Sequence, residues 1–108
     1  MKGGSTMFFT KSKKFSVEID DKEVPMMAGP RTHAVYKKYF KKSLIKSINK
    51  YIISYENNYA NNLGIAEIIW SFAKTANPTL PSFKDWVDSC KTLPVREIIM
   101  EITEKLTK

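Results

Sequence analysis

The spacing of the apolar residues changes once along this chain, and that change constrains the fold more than any other feature. Phe15, Val17 and Ile19 alternate with Ser16 and Glu18, the period of a half-buried strand. Asp20 and Asp21 then offer a turn, and Glu23 to Met27 supply a second extended run that completes a hairpin. Pro25 has no N–H to give to a ladder, so it belongs on an edge or where pairing ends. Two strands alone are marginal and need helices to cover one face.

Every apolar run after Gly29 and Pro30 has helical spacing. Tyr36, Phe40, Leu44, Ile48 and Ile52 recur four residues apart, after a candidate cap at Thr32. Ser43 offers a second cap inside this stretch, so one long helix and two helices with a bend both fit. The asparagine-rich run from Glu56 to Asn62 reads as a loop ending in a cap at Asn62. Ile65, Ile68, Ile69, Phe72 and Ala76 then fit a helix that Asn77 and Pro78 stop. Ser82 with Asp85 resembles a capping box ahead of Phe83, Trp86, Val87 and Cys90, and Pro94 opens a last helix striped by Val95, Ile98, Ile99, Ile102 and Leu106. The predicted architecture is α+β and mainly helical, with a short N-terminal β-hairpin packed on about four helices.

A length of 108 residues suits one core. Residues 1–12 read as a mobile tail, with Met7 as an alternative natural start, and 13–108 as a single domain. No run reaches the roughly 20 apolar residues of a membrane span, and the start lacks a secretory apolar stretch, so the expectation is a cytosolic protein. The net charge of +7 is concentrated: Arg31, Lys37, Lys38, Lys41, Lys42, Lys46 and Lys50 fall between Val24 and Tyr55, a segment with no acidic residue. The rest of the chain carries 11 basic and 11 acidic residues and is neutral. Lys38, Lys42, Lys46 and Lys50 share the four-residue spacing of the apolar stripe, offset by two positions, which on a helix is about half a turn.

Residues able to do chemistry are scarce. His33 is the single histidine and Cys90 the single cysteine, so neither a nucleophile with an oriented base nor a metal site is expected, and no glycine-rich phosphate loop is present. His33 reads as a solvent-facing or locally bonded residue, Cys90 as a small core hydrophobe and Trp70 as packing at the margin of its helix's stripe. Glu97, Glu101 and Glu104 read as the wet face of the last helix. The lysine stripe fits a solvated face, an acidic protein partner or a phosphate backbone with Tyr39 or Tyr59 stacked on bases. Direct base reading favours arginine, asparagine and glutamine on an exposed helix, the chain has only two arginines (Arg31 and Arg96), and the connectors look too long for a helix-turn-helix. Nucleic acid is therefore the less favoured partner.

Two longer runs carry a family resemblance. EVPMMAGPRTHAVYKKYFKKSLI resembles the front half of tail assembly chaperones from phages of Gram-positive bacteria. AEIIWSFAKTANPTLPSFKDWVDS is similar to a stretch in which that family tends to carry an Ala-Lys-x-Ala-x-Pro helix end and then a short tryptophan helix; the matching residues are Ala73, Lys74, Ala76, Pro78 and Trp86. The likeness spans about Phe15 to Leu106. It departs where the family often has a glycine and then a basic and an acidic residue after the helix phenylalanine, since this chain has Lys41, Lys42 and Ser43.

The resemblance implies a non-catalytic protein of the infected host's cytoplasm, absent from the mature virion and needing no cofactor or metal. It would coat the phage tape measure protein, keep it soluble and help recruit tail tube protein; a homo-oligomer is compatible, a membrane partner is not implied, and the alternative is a small basic nucleic-acid-binding regulator. The combination of cationic reach with an aromatic anchor puts Tyr39, Lys38, Lys42, Lys46 and Lys50 on the expected client-binding face, with the helix around Trp70 as the next candidate.

Overall fold

A computed structural model describes residues 12–53 and 62–106. The tail before Ser12, most of the asparagine-rich loop, Tyr59 and the Ile52 side chain lie outside the described residues. The fold is α+β. Strands β1 (Lys13–Ile19) and β2 (Lys22–Ala28) form an antiparallel hairpin, followed among the described residues by α1 (Pro30–Phe40), α2 (Leu44–Ile48), a π-helical turn (Asn49–Ile53), α3 (Asn62–Ala76), α4 (Phe83–Ser89) and α5 (Val95–Leu106).

The hairpin turns on two residues, Asp20 and Asp21, both at positive φ (55° and 64°). Such a turn needs both central residues left-handed, and aspartate tolerates that conformation. From this turn the register alternates so that Ser16 and Pro25 face each other at a non-hydrogen-bonded position, where a missing N–H costs nothing in the ladder. Val17, Ile19, Met26 and Ala28 point to the core.

Helix α1 begins earlier than the expected cap at Thr32. Gly29 is its N-cap and Pro30 opens it, because the pre-set φ of proline suits a first-turn position where an N–H would have no partner. Thr32 sits three residues on; its hydroxyl accepts from Gly29 N (3.2 Å) and donates to the Met27 carbonyl (3.0 Å), pinning the strand-to-helix corner. Glycine is required here by close approach: a Cβ on Gly29 would come within 2.8 Å of Ser12 Oγ and 3.0 Å of Ser12 Cα.

The stretch from 30 to 53 is two helices and a π turn, which is why five α-helices appear where about four were expected. Lys41 adopts the left-handed conformation (φ 59°, ψ 32°) and its N–H closes α1 on the Lys37 carbonyl at 2.9 Å. Ser43 then caps α2, accepting from Lys46 N. The break stands although lysine occupies the position where the resembled family often has glycine. Tyr36, Leu44 and Ile48 remain buried on both sides of it, and Tyr36 Oη meets Ser47 Oγ at 2.9 Å.

Helix α3 is the centre of the molecule. It packs against β2, α1, α2, the π turn and α5, and ten of its fifteen residues are buried. The stripe reading underestimates it: Ala66, Trp70, Ser71, Ala73 and Thr75 are buried as well as Ile65, Ile68, Ile69 and Phe72, while Ala76 at the helix end is only half-buried. Its two buried hydroxyls are satisfied within the helix, Ser71 Oγ donating to the Glu67 carbonyl (2.9 Å) and Thr75 Oγ1 to that of Ser71 (2.6 Å). Helix α5 buries Val95, Ile98, Ile99, Ile102 and Leu106 as its spacing predicts, against α3 and β1.

Candidate functional site

An aromatic cluster joins α1, α3 and α4. Phe40 lies edge-on to both Trp70 (centroids 5.6 Å apart) and Phe83 (5.4 Å), and Tyr39 is edge-on to Trp70 at 5.0 Å. These are the separations and tilts at which ring quadrupoles attract. Trp70 is wholly buried and donates its Nε1–H to the Pro81 carbonyl at 3.0 Å. As a surface contact for a partner Trp70 is therefore corrected: in this structure it is a core residue, with its single donor already used. Tyr39, which leans on it, is 45% exposed.

Tyr39 lies at an open groove of about 240 Å³ between α1 and the end of α3. Val35, Tyr39 and Pro78 give it apolar surface, and Arg31, Lys38 and Lys74 bring three cations to the same place. No carboxylate is among the lining residues described. The volume is smaller than the roughly 300 Å³ at which small-molecule sites begin, so it suits a side chain or two of a partner. Lys38 Nζ stands 5.4 Å from the Tyr39 ring centre and Lys74 Nζ 5.8 Å, both within cation–π range.

Lys74 has a second task. Its ammonium donates to the carbonyls of Pro78 and Leu80, each at 2.8 Å, just past the C-terminus of α3. The lysine reaches forward from the last turn of the helix and satisfies two carbonyls of the loop that follows it. The Ala-Lys-x-Ala-x-Pro run thus has a local physical meaning: lysine fastens the loop that proline starts.

The four-lysine row does not survive as one stripe, because the break at Lys41 separates Lys38 from Lys46 and Lys50. Lys38, Lys46 and Lys50 are exposed. Lys42 turns inward to Glu67, whose side chain is only 15% exposed, with Nζ to Oε1 at 2.9 Å. It also stands 6.0 Å from the Tyr36 ring centre and 5.6 Å from that of Tyr51. Desolvation pulls the Lys42 pKa down, but the hydrogen bond and charge of Glu67, with the nearby Tyr36 and Tyr51 hydroxyls, outweigh it, leaving the ammonium stabilised. Lys42 thus belongs to the fold's internal wiring as well as to the basic face. Burial raises the Tyr36 hydroxyl above its ordinary value.

Spacing placed Lys38 and Tyr39 correctly on one helix surface but missed Arg31 and Lys74. Arg31 had a signal: 31, 34, 35, 38 and 39 fall at i, i+3, i+4, i+7 and i+8, a second, mixed apolar and cationic face beside the buried stripe. Lys74 had none, since only the folded chain brings the end of α3 to α1.

Elsewhere, burial lowers the pKa of His33 and raises that of Cys90, whose thiol is half-buried and donates to the Trp86 carbonyl. A raised thiol pKa leaves little thiolate at neutral pH. Among the described residues no group of three or more His, Cys, Asp or Glu could hold a metal ion, and no helix is long and apolar enough to cross a membrane. No family model matches the chain, and comparison with curated proteins and with solved structures finds no match.

Proposed function

We propose that this protein is a non-catalytic chaperone of the phage tail-assembly type, which binds the tape measure protein in the host cytoplasm, keeps it soluble, assists assembly of the tail tube and does not enter the virion. The observation that supports the binding role is the groove at Tyr39: an exposed aromatic ring, held edge-on to a buried tryptophan, among three cations with no carboxylate. Tyrosine and arginine are over-represented at interface hot spots, and the groove brings Tyr39 and Arg31 together. The identity of the client rests on the resemblance of the two sequence runs described above.

Co-expression with the tape measure protein tests this reading. Wild type is expected to hold the client in solution, and Tyr39→Ala to weaken capture by about 2 kcal/mol, roughly 30-fold in affinity. Lys38, Lys46 and Lys50 changed together to glutamate should slow capture and reverse its salt dependence. Lys42 is left unchanged, because reversing it would set a second carboxylate against the mostly buried Glu67. If both variants keep their circular dichroism and protect the client as well as wild type, the groove is not the client site.

The carboxylate-free segment from Val24 to Tyr55 favours a second reading, nucleic-acid binding. Lysine contacts to phosphate release counterions and weaken steeply with salt. A nanomolar preference for one sequence that survives about 0.2 M salt would promote that reading over the chaperone.

A further inference from the structure

The groove at Tyr39 carries two cations at a fixed interval. Arg31 and Lys38 are seven residues apart on α1, two turns, so their Cα atoms lie about 10.5 Å apart along one face. Ala34 and Val35 fall between them and, with Pro78 across the groove, line an apolar gap. Among the described residues neither cation has an ion-pair partner. Arg31 offers a planar fork that a carboxylate can meet with two parallel hydrogen bonds. Lys74 differs, because its ammonium is already held by the Pro78 and Leu80 carbonyls; it adds positive charge to the far wall and stays in place.

A complementary ligand carries two carboxylates at that interval with an apolar side chain between them, all on one face. An extended segment sets its same-face residues about 6.6 Å or about 13 Å apart and misses the interval both times. A helix sets residues i and i+7 about 10.5 Å apart on one face, with i+3 and i+4 between them. A nucleic-acid strand fits less well, since the Lys38 and Lys74 ammoniums stand over the Tyr39 ring, where a base would have to stack, and phosphates would leave the apolar gap unfilled. We infer that the groove takes an acidic amphipathic helix of a partner protein, with carboxylates at i and i+7 against Arg31 and Lys38 and a leucine-sized side chain at i+3 or i+4 in the gap beside Tyr39. This is helix-in-groove recognition, in which the anchor supplies affinity and the carboxylates set the register. The inference rests on the groove being the client site of the proposed function, and it adds which kind of client segment enters.

Fluorescence anisotropy of labelled, helix-stapled peptides with the full chain tests it. The matched peptide has glutamate at its first and eighth positions and leucine at its fourth. A shifted peptide moves the second glutamate two positions, to the other side of the helix; a reversed peptide replaces both glutamates by lysine; a single-stranded oligonucleotide is the fourth probe. The matched peptide should bind most tightly, and less so as salt rises from about 0.05 M to about 0.5 M, which shortens the Debye length roughly threefold. The shifted peptide should bind several-fold more weakly and the reversed one not at all. Tyr39→Ala should weaken the matched peptide about 30-fold. One of Arg31→Gln and Lys38→Gln, whichever cation faces the moved glutamate, should erase the difference between matched and shifted peptides, a readout that a merely structural role would not move. Equal binding of matched and shifted peptides to wild type overturns the inference, as does tighter binding of the oligonucleotide, no peptide binding at all, or a difference that both glutamine variants keep at wild-type circular dichroism. A client held in solution through Tyr39 while no acidic helix binds would sink this inference alone. A matched peptide that binds while the client is not captured would sink the chaperone reading and leave this one standing.

Discussion

Asp20 shows how much one side chain can hold together in this chain. It occupies the left-handed tip of the hairpin, and its carboxylate accepts from Lys91 N (2.8 Å), Thr92 N (3.2 Å) and Thr92 Oγ1 (3.2 Å). The tip is thereby tied to the connector between α4 and α5. Two backbone N–H groups favour the ionised form, that of Lys91 most, and they outweigh an opposing desolvation, so the carboxyl lies below its ordinary value. A folded-state pKa below the unfolded one contributes stability at neutral pH, and that contribution is lost as pH falls through the folded value. Asp20→Asn keeps the turn, because asparagine also tolerates the left-handed region, but removes the charge. Denaturant unfolding should find the variant less stable than wild type at pH 7, with the gap closing once pH drops well below about 4, the ordinary aspartate value. A gap that is the same at both pH values would mean that the carboxylate's charge plays no part in the tie.

The break between α1 and α2 is where local sequence and structure part most clearly. Lysine in the left-handed conformation costs roughly 1 kcal/mol relative to a permissive residue, and the position is a helix terminus of the kind glycine serves. Lys41→Gly should therefore raise stability by about 0.5–1 kcal/mol, after allowing for the extra freedom glycine has when unfolded. In thermal unfolding that is an increase of several degrees; a decrease would show that Lys41 contributes something beyond its backbone. The break was half legible. Ser43 advertised a second cap, but the four-residue spacing of Tyr36, Phe40, Leu44 and Ile48 runs through the interruption because both helices bury the same side. Lys42 was the less legible neighbour. Its partner Glu67 lies 25 residues along, in α3, and no window around the lysines contains it. Gly64 is a similar case: a Cβ there would meet the Tyr51 ring at 2.6–2.8 Å, so a glycine in the first turn of α3 is needed by the packing of the π turn on that helix.

The arrangement as a unit follows from α3 being enclosed. Its sequence announces one apolar stripe, yet Ala66, Ser71, Ala73 and Thr75 complete a second and third buried side with small or self-satisfied residues that carry little hydrophobic signal. The hairpin, the caps at Ser43 and Ser82 and the α5 stripe were readable because each is local, whereas the cap expected at Thr32 lies three residues earlier, at Gly29. The groove was only half readable, because α1 supplies one wall and the end of α3 with Pro78 the other. Burial around α3 also sets how the chain should unfold. Helix α3 touches the hairpin, α1, α2 and α5 at once, and Trp70 links α1, α3 and α4 through ring contacts and the Pro81 carbonyl. Opening α3 therefore exposes most of the core, whereas α4 buries only Trp86 among its seven residues and can loosen at smaller cost. Native-state hydrogen exchange should find the amides from Ile65 to Thr75 protected to the level of global unfolding, with those of α4 exchanging earlier. Near-ultraviolet dichroism, which reports the aromatic cluster, and far-ultraviolet dichroism, which reports the helices, should melt together as a single domain's do. If α3 exchanges before α5, or if the aromatic signal is lost well ahead of the helical one, α3 is not the cooperative centre and the support beneath Tyr39 is looser than the buried Trp70 indicates.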